Sequence, residues 1–127
     1  MLYHLTIVMG GAALGGAARY LISTLAIHKL GITFPYGTLI VNLLGCFIIG
    51  LFTAVAFDRF NFSPQIRLFV LAGFLGGLTT FSSFCYETIG LFQAGNINFA
   101  LGNIALNTFI GLIATRLGTY IARIIFF

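Results

Sequence analysis

Four apolar runs, Leu5 to Ile27, Tyr36 to Phe57, Ile66 to Phe92 and Phe99 to Ile121, occupy most of this chain. Each meets the ~20 residues that a helix needs to cross a bilayer core, and the connections between them leave no room for a soluble domain. Only 6% of the 127 residues are charged and the mean hydropathy is +1.11, against about 25% charged in ordinary soluble domains. The chain therefore reads as an all-α membrane protein, one four-helix transmembrane domain over residues 1–127.

Turn chemistry marks the breaks. Gly31 and Pro35 follow the first run, and Gly95, Asn96 and Asn98 follow the third. Between the second and third runs stand Asn61, Ser63 and Pro64, with Ser63 placed as an N-cap and Pro64 as the first helical residue. The N-terminus has no basic n-region and the first run is as long as the rest, so all four helices are expected to persist in the mature protein.

Charge bears on orientation. Four crossings put both termini and the loop from Asp58 to Gln65 on one side, with Arg59, Arg67, Arg116 and Arg123, against Arg19 and Lys29 nearer the other. Short-loop Lys and Arg set orientation, so the bias favours cytoplasmic termini, yet it is small enough to permit insertion in both senses. The net charge of +4 does not imply nucleic acid, because no aromatic–basic patch exists to read a strand.

Enzyme chemistry finds no foothold. No HExxH, P-loop or hydrolase elbow occurs. Cys46 and Cys85 have no metal-ligand spacing and are expected to be small buried hydrophobes, and His4 and His28 lie near helix ends.

The segment Gly73 to Glu87, GFLGGLTTFSSFCYE, is unlike the rest. It carries three glycines, four Ser or Thr hydroxyls and a carboxylate within an apolar run. Glycine disfavours a helix interior by about 1 kcal/mol, and polar groups at membrane depth need protein, ion or water partners. Gly76 and Gly77 directly precede Leu78, Thr79 and Thr80, so a broken third helix is expected there, with exposed backbone that a bound cation would satisfy. Close packing accounts for part of the glycine content: Gly11 with Gly15, Ala12 with Gly16, and Gly73 with Gly77 are small-xxx-small pairs, and packing is the expected role of the first-helix glycines.

Polar residues recur on two other helices. Asn103, Asn107, Gly111 and Thr115 repeat every four residues, and Thr38, Asn42, Gly45, Cys46 and Thr53 share a narrow arc. Interhelical hydrogen bonding is the rival reading, worth on average about 0.6 kcal/mol per contact. A polar conduit or internal site explains two asparagine-bearing stripes beside a hydroxyl-rich segment better.

Arg19 lies past the middle of the first run, where it either snorkels to the interface or supplies a fixed positive charge at a vestibule. Glu87, four residues after Ser83, is either its partner or a group at the opposite mouth. Phe81 and Phe84 share a face beside Thr80, Ser82 and Ser83. An aromatic ring has a positive edge, so such a pair suits an anion path, although paired phenylalanines also commonly face lipid or core.

At this point the chain resembles the small bacterial fluoride channels of the Fluc or CrcB family along nearly its full length. The resemblance rests on GGAARY at 15–20, PYGTLIVNLLGCFIIG at 35–50 and GFLGGLTTFSSFCYE at 73–87, in this order within four helices. It implies an antiparallel, dual-topology homodimer in the bacterial inner membrane, with two pores that let fluoride leave the cytoplasm passively and confer fluoride resistance. It further implies a structural Na+ held by backbone carbonyls of Gly76 and Thr79. By the same resemblance Asn42, Phe81, Phe84, Ser82, Ser83 and Thr115 line the fluoride pore, while Arg19, Thr38 and Glu87 serve the vestibule. Gly111 stands where many relatives carry serine, and Cys85 where a small hydroxyl residue is frequent.

Two other readings are weighed against it. A small multidrug exporter also uses four helices in dual-topology dimers, but it needs a first-helix carboxylate, and this first helix has Arg19 and no Asp or Glu. A non-transporting membrane assembly subunit would use the Gly and Asn stripes for packing alone.

Overall fold

A computed structural model describes residues 1–127. Four helices are long and apolar enough to cross a membrane: α1 (Leu2–Leu30), α2 (Tyr36–Arg59), α3 (Pro64–Gln93) and α4 (Ile97–Phe126). The chain is a multi-pass membrane protein. Each helix outruns its apolar run because flanking residues such as Lys29, Arg59 and Arg123 continue the winding.

The turns follow the local chemistry. Ser63 accepts from the Ile66 N–H at 3.4 Å and Pro64 is the first residue of α3. Gly31 closes α1 at φ 84° and Gly95 follows α3 at φ 79°, a region that side chains with a Cβ rarely adopt. The α2–α3 turn is gripped by Arg67. Its Nε donates to the Phe62 carbonyl at 2.7 Å, its Nη2 donates to Asn61 Oδ1 at 2.6 Å, and its guanidinium lies 4.2 Å from the Phe57 ring centroid.

Close backbone approach builds two helix pairs. A Cβ on Gly11 would stand 2.8 Å from the Phe74 nitrogen and 2.9 Å from Gly73 Cα, and one on Gly77 would stand 2.9 Å from the Gly16 nitrogen. These glycines join α1 to the first half of α3, as small-xxx-small pairing predicts. In the second pair, Gly118 of α4 meets the Phe47 carbonyl and lies so that a Cβ would fall 2.8 Å from the Leu51 nitrogen of α2, while Gly50 of α2 meets the Thr115 carbonyl. π-helical turns at Ala54–Arg59, Leu68–Leu75 and Leu106–Ile110 shift the register within α2, α3 and α4.

The interior of one chain is small. Val41, Leu75 and Leu78 form one apolar cluster and Ala54, Val55 and Ala122 another, and only 22 of 127 residues are buried. Large apolar side chains face outward, Phe81 at 76% exposure and Tyr86 at 83% among them. Cys85 shares that outward face and is exposed, and Cys46 is half-buried. The expectation that both cysteines are buried is thus corrected: the second half of α3 presents its Phe81–Tyr86 side to lipid or to another protein surface, not to the core of its own chain.

Candidate functional site

The first half of α3 is helical from Pro64 to Leu78, and Phe81 starts the second half. Between them Thr79 (φ −88°, ψ 157°) and Thr80 (φ −152°, ψ 118°) have extended backbone. Gly76 and Gly77 themselves are helical. The departure from helix therefore sits after the glycines, and the reason differs for each. Gly77 packs against Ala12 and Gly16, whereas Gly76 leaves open space, its nearest potential Cβ neighbour being the Leu71 carbonyl at 4.0 Å.

Extended backbone inside a membrane helix must find other partners, and here α1 and α2 provide them. Arg19 Nη1 donates to the Thr79 carbonyl at 3.3 Å. Asn42 Oδ1 accepts from the Thr80 N–H at 2.9 Å and Asn42 Nδ2 donates to the Thr80 carbonyl at 3.2 Å. The same Nδ2 donates to Asn107 Oδ1 at 3.0 Å, so both amide hydrogens of Asn42 are engaged by protein acceptors. The Thr80 hydroxyl then caps the second half of α3, accepting from the Ser83 N–H at 3.2 Å and donating to Ser83 Oγ at 3.1 Å.

Two cavities meet at Thr80. One, of about 560 Å³, is lined by Asn42, Gly76, Thr79, Phe81, Phe84 and Thr115 among others. The second, of about 720 Å³, is lined by Arg19, Thr38, Ser83 and Glu87, and Thr80 lines both. Phe81 and Phe84 have ring centroids 5.5 Å apart at 45°. Ser82 lines neither cavity and is exposed. Thr115 donates to the Gly111 carbonyl of its own helix at 3.1 Å, which engages its hydroxyl hydrogen.

Arg19 and Glu87 share one cavity without pairing. Glu87 Oε1 accepts from the Thr38 hydroxyl at 2.7 Å, and its Oε2 is buried without a partner. Arg19 reaches across to the Thr79 carbonyl of α3 and not to Glu87.

The donor set also bears on a cation. No group of three His, Cys, Asp or Glu gathers anywhere, whereas neutral carbonyl oxygens suit a hard cation. The Gly76 carbonyl lacks its usual helical partner because the Thr80 N–H is held by Asn42. The Thr79 carbonyl accepts Arg19 with one of its two lone pairs and retains the other. These oxygens fit Na+ in type. Two of them fall short of a complete coordination shell.

Thr80 and Asn107 were not among the sequence candidates. The four-residue stripe of α4 placed Asn107 on the right face, but only the fold brings its amide to Asn42. Thr80 acts largely through its backbone N–H and carbonyl, which residue type does not reveal.

Fold and site together define a small four-helix membrane protein built around an amide-clamped polar interruption that separates two cavities. The family model described as CrcB-like protein, Camphor Resistance (CrcB), matches residues 6–119, and the chain belongs to that family. It is 44% identical over 123 residues to a Clostridium perfringens protein named fluoride-specific ion channel FluC, covering 96% of both chains. Proteins of the same name from Dehalococcoides mccartyi and Legionella pneumophila are 39% and 42% identical, over 96% and 94% of this chain and 94% and 89% of theirs.

Proposed function

We propose that this chain is a passive fluoride-selective channel that lets fluoride leave the cytoplasm across the bacterial inner membrane and so confers fluoride resistance. The observation that carries the proposal is the Thr79–Thr80 step: extended backbone clamped by Arg19 and Asn42, with the Phe81–Phe84 pair and hydroxyls beside it. Relatives that share this sequence over nearly its whole length carry the name fluoride-specific ion channel.

Hydrogen fluoride crosses lipid as a neutral molecule and releases fluoride where the pH is higher, trapping it. An inside-negative potential drives an anion outward by about 2.3 kcal/mol per 100 mV, so a pore suffices. With Asn42 and Thr115 engaged by protein acceptors, and the Ser82 hydroxyl donating to Thr80 Oγ1 at 3.3 Å because the Thr80 hydrogen goes to Ser83, the donors left to replace fluoride's hydration are the Ser83 hydroxyl and the positive edges of Phe81 and Phe84. Asn42 then acts by shaping the path. Arg19 raises the anion concentration in the larger cavity, which Thr38 and Glu87 also line.

The same reading includes an antiparallel homodimer with a broken third helix at its centre. Its support is the open side of the smaller cavity, where Phe81 stands 76% exposed. A second copy on that side would bring another pair of Gly76 and Thr79 carbonyls, and these residues would hold a structural Na+. When bound, that ion supplies positive charge where two anion paths run close together.

Liposomes containing only this protein provide the test. Fluoride efflux without chloride efflux supports the proposal. Proton-coupled export of a cationic drug would establish the exporter reading instead, and absence of all three fluxes would leave a membrane assembly subunit.

A further inference from the structure

The asparagine stripe of α4 does more than line a cavity. Asn107 Nδ2 donates to Asn103 Oδ1 at 2.9 Å, Asn103 Nδ2 donates to Thr88 Oγ1 at 2.9 Å, and the Thr88 hydroxyl donates to the Phe84 carbonyl at 2.7 Å. Joined to the bonds already described, from the Thr80 N–H to Asn42 Oδ1 and from Asn42 Nδ2 to Asn107 Oδ1, they form one continuous run. It leaves α3 at Thr80, passes through α2 and α4, and returns to α3 at Phe84.

Three properties distinguish this run from scattered adhesion. Every amide accepts on its oxygen and donates onward from its nitrogen, so the side-chain dipoles align head to tail and each bond polarises the next. Its middle is dry: Asn103 is fully buried, at 0% exposure, and Thr88 is buried as well. Its two ends bracket the residues that carry the proposed ion path, because Thr80 precedes Phe81 and the last acceptor is the carbonyl of Phe84 itself.

We infer that Asn103, Asn107 and Thr88 are positioning residues for ion conduction, forming with Asn42 an amide relay that fixes the extended Thr80 step and the Phe81–Phe84 turn as one unit. None of the three need touch the ion. The inference rests on the fluoride-channel reading for its functional consequence, and on the hydrogen-bond geometry alone for its structural one.

Thr88 is the place to test it, because valine matches threonine in shape and lacks the hydroxyl. In Thr88→Val the Asn103 amide loses its acceptor, the far end of the relay loosens, and exchange of the amide hydrogen of Thr80, a residue that lines both cavities, is expected to rise about tenfold by amide-resolved hydrogen exchange. Fluoride efflux from liposomes is expected to fall about tenfold, and Thr88→Ser, which restores the hydroxyl, is expected to return both readings to near wild type. Should Thr88→Val fail to assemble, Asn107→Leu cuts the relay one bond from Asn42 and carries the same two expectations.

Unchanged Thr80 exchange in an assembled variant would overturn the relay, even with flux reduced, since Thr88 would then act some other way. Faster exchange with undiminished flux would overturn its role in positioning the path. A wild-type protein that passes no fluoride would defeat the functional reading instead, and the exchange measurement would still decide whether the relay exists.

Discussion

Asn42 pairs with both backbone groups of Thr80, accepting from its N–H at 2.9 Å and donating to its carbonyl at 3.2 Å. One side chain thus replaces the partners that the peptide loses when α3 departs from helical geometry. A buried backbone group left without a partner costs about 1–3 kcal/mol, so losing Asn42 destabilises the extended step even with Arg19 still on the Thr79 carbonyl. Asn42→Leu is expected to reduce fluoride efflux at least tenfold and to lower thermal stability in detergent. Wild-type efflux with leucine at this position would remove the clamp from the account.

The aromatic pair makes a separate expectation. Phe81 and Phe84 lie against each other with centroids 5.5 Å apart, and Phe81 is mostly exposed on a single chain, so its ring is free to face an ion path and contributes little to its own chain's core. Phe81→Ile is expected to cut fluoride flux sharply while the size of the assembled protein in detergent matches that of wild type. Unchanged flux would take the ring out of the pore.

The cation reading depends on carbonyls and not hydroxyls. Thr79 Oγ1 donates to the Leu75 carbonyl of its own helix at 2.8 Å, and the Gly76 carbonyl is the oxygen released by the Thr80 clamp. Thr79→Val is therefore expected to retain much of any sodium dependence of fluoride flux. Complete loss of that dependence would assign the ion to the threonine hydroxyl.

Neighbouring glycines separate packing from site. A side chain on Gly77 meets the α1 backbone at Ala12 and Gly16, whereas one on Gly76 finds its first neighbour at 4.0 Å. Overpacking a tight contact destabilises by about 1–3 kcal/mol or more, so Gly77→Val is expected to lower the melting temperature and yield of assembled protein. Gly76→Ala is expected to melt near wild type. Equal melting temperatures for both variants would contradict the α1–α3 packing.

Much of this was legible in the residues, for identifiable reasons. Apolar run length located the four crossings, Ser63 and Pro64 located the start of α3, and the small-residue pairs marked close-packing surfaces on α1 and α3 without saying that the two meet. The clustering of hydroxyls and glycines marks Gly73–Glu87 as unusual and the stretch from Gly76 to Thr80 as weakly helical, within which propensity alone would favour the glycines. The partners decide otherwise: Asn42 and Arg19 reach Thr79 and Thr80, and helix packing holds Gly77 in place. Nor could the stripes disclose the bond between Asn42 and Asn107, 65 positions apart, since which stripe faces which depends on the order of the helices in the bundle. The outward placement of Cys85 follows from the same cause. A single chain buries little, and a period in sequence does not say whether an apolar face meets its own core, lipid or another subunit.

The central claim is passive, voltage-driven fluoride movement, and the steady fluoride gradient across liposomes clamped at a series of membrane potentials tests it most directly. At a pH high enough to make hydrogen fluoride negligible, the account predicts that the gradient changes about tenfold for every 59 mV, independently of any pH gradient, while chloride stays where it was loaded. A fluoride gradient that ignores voltage, or one that follows the proton gradient, would contradict it.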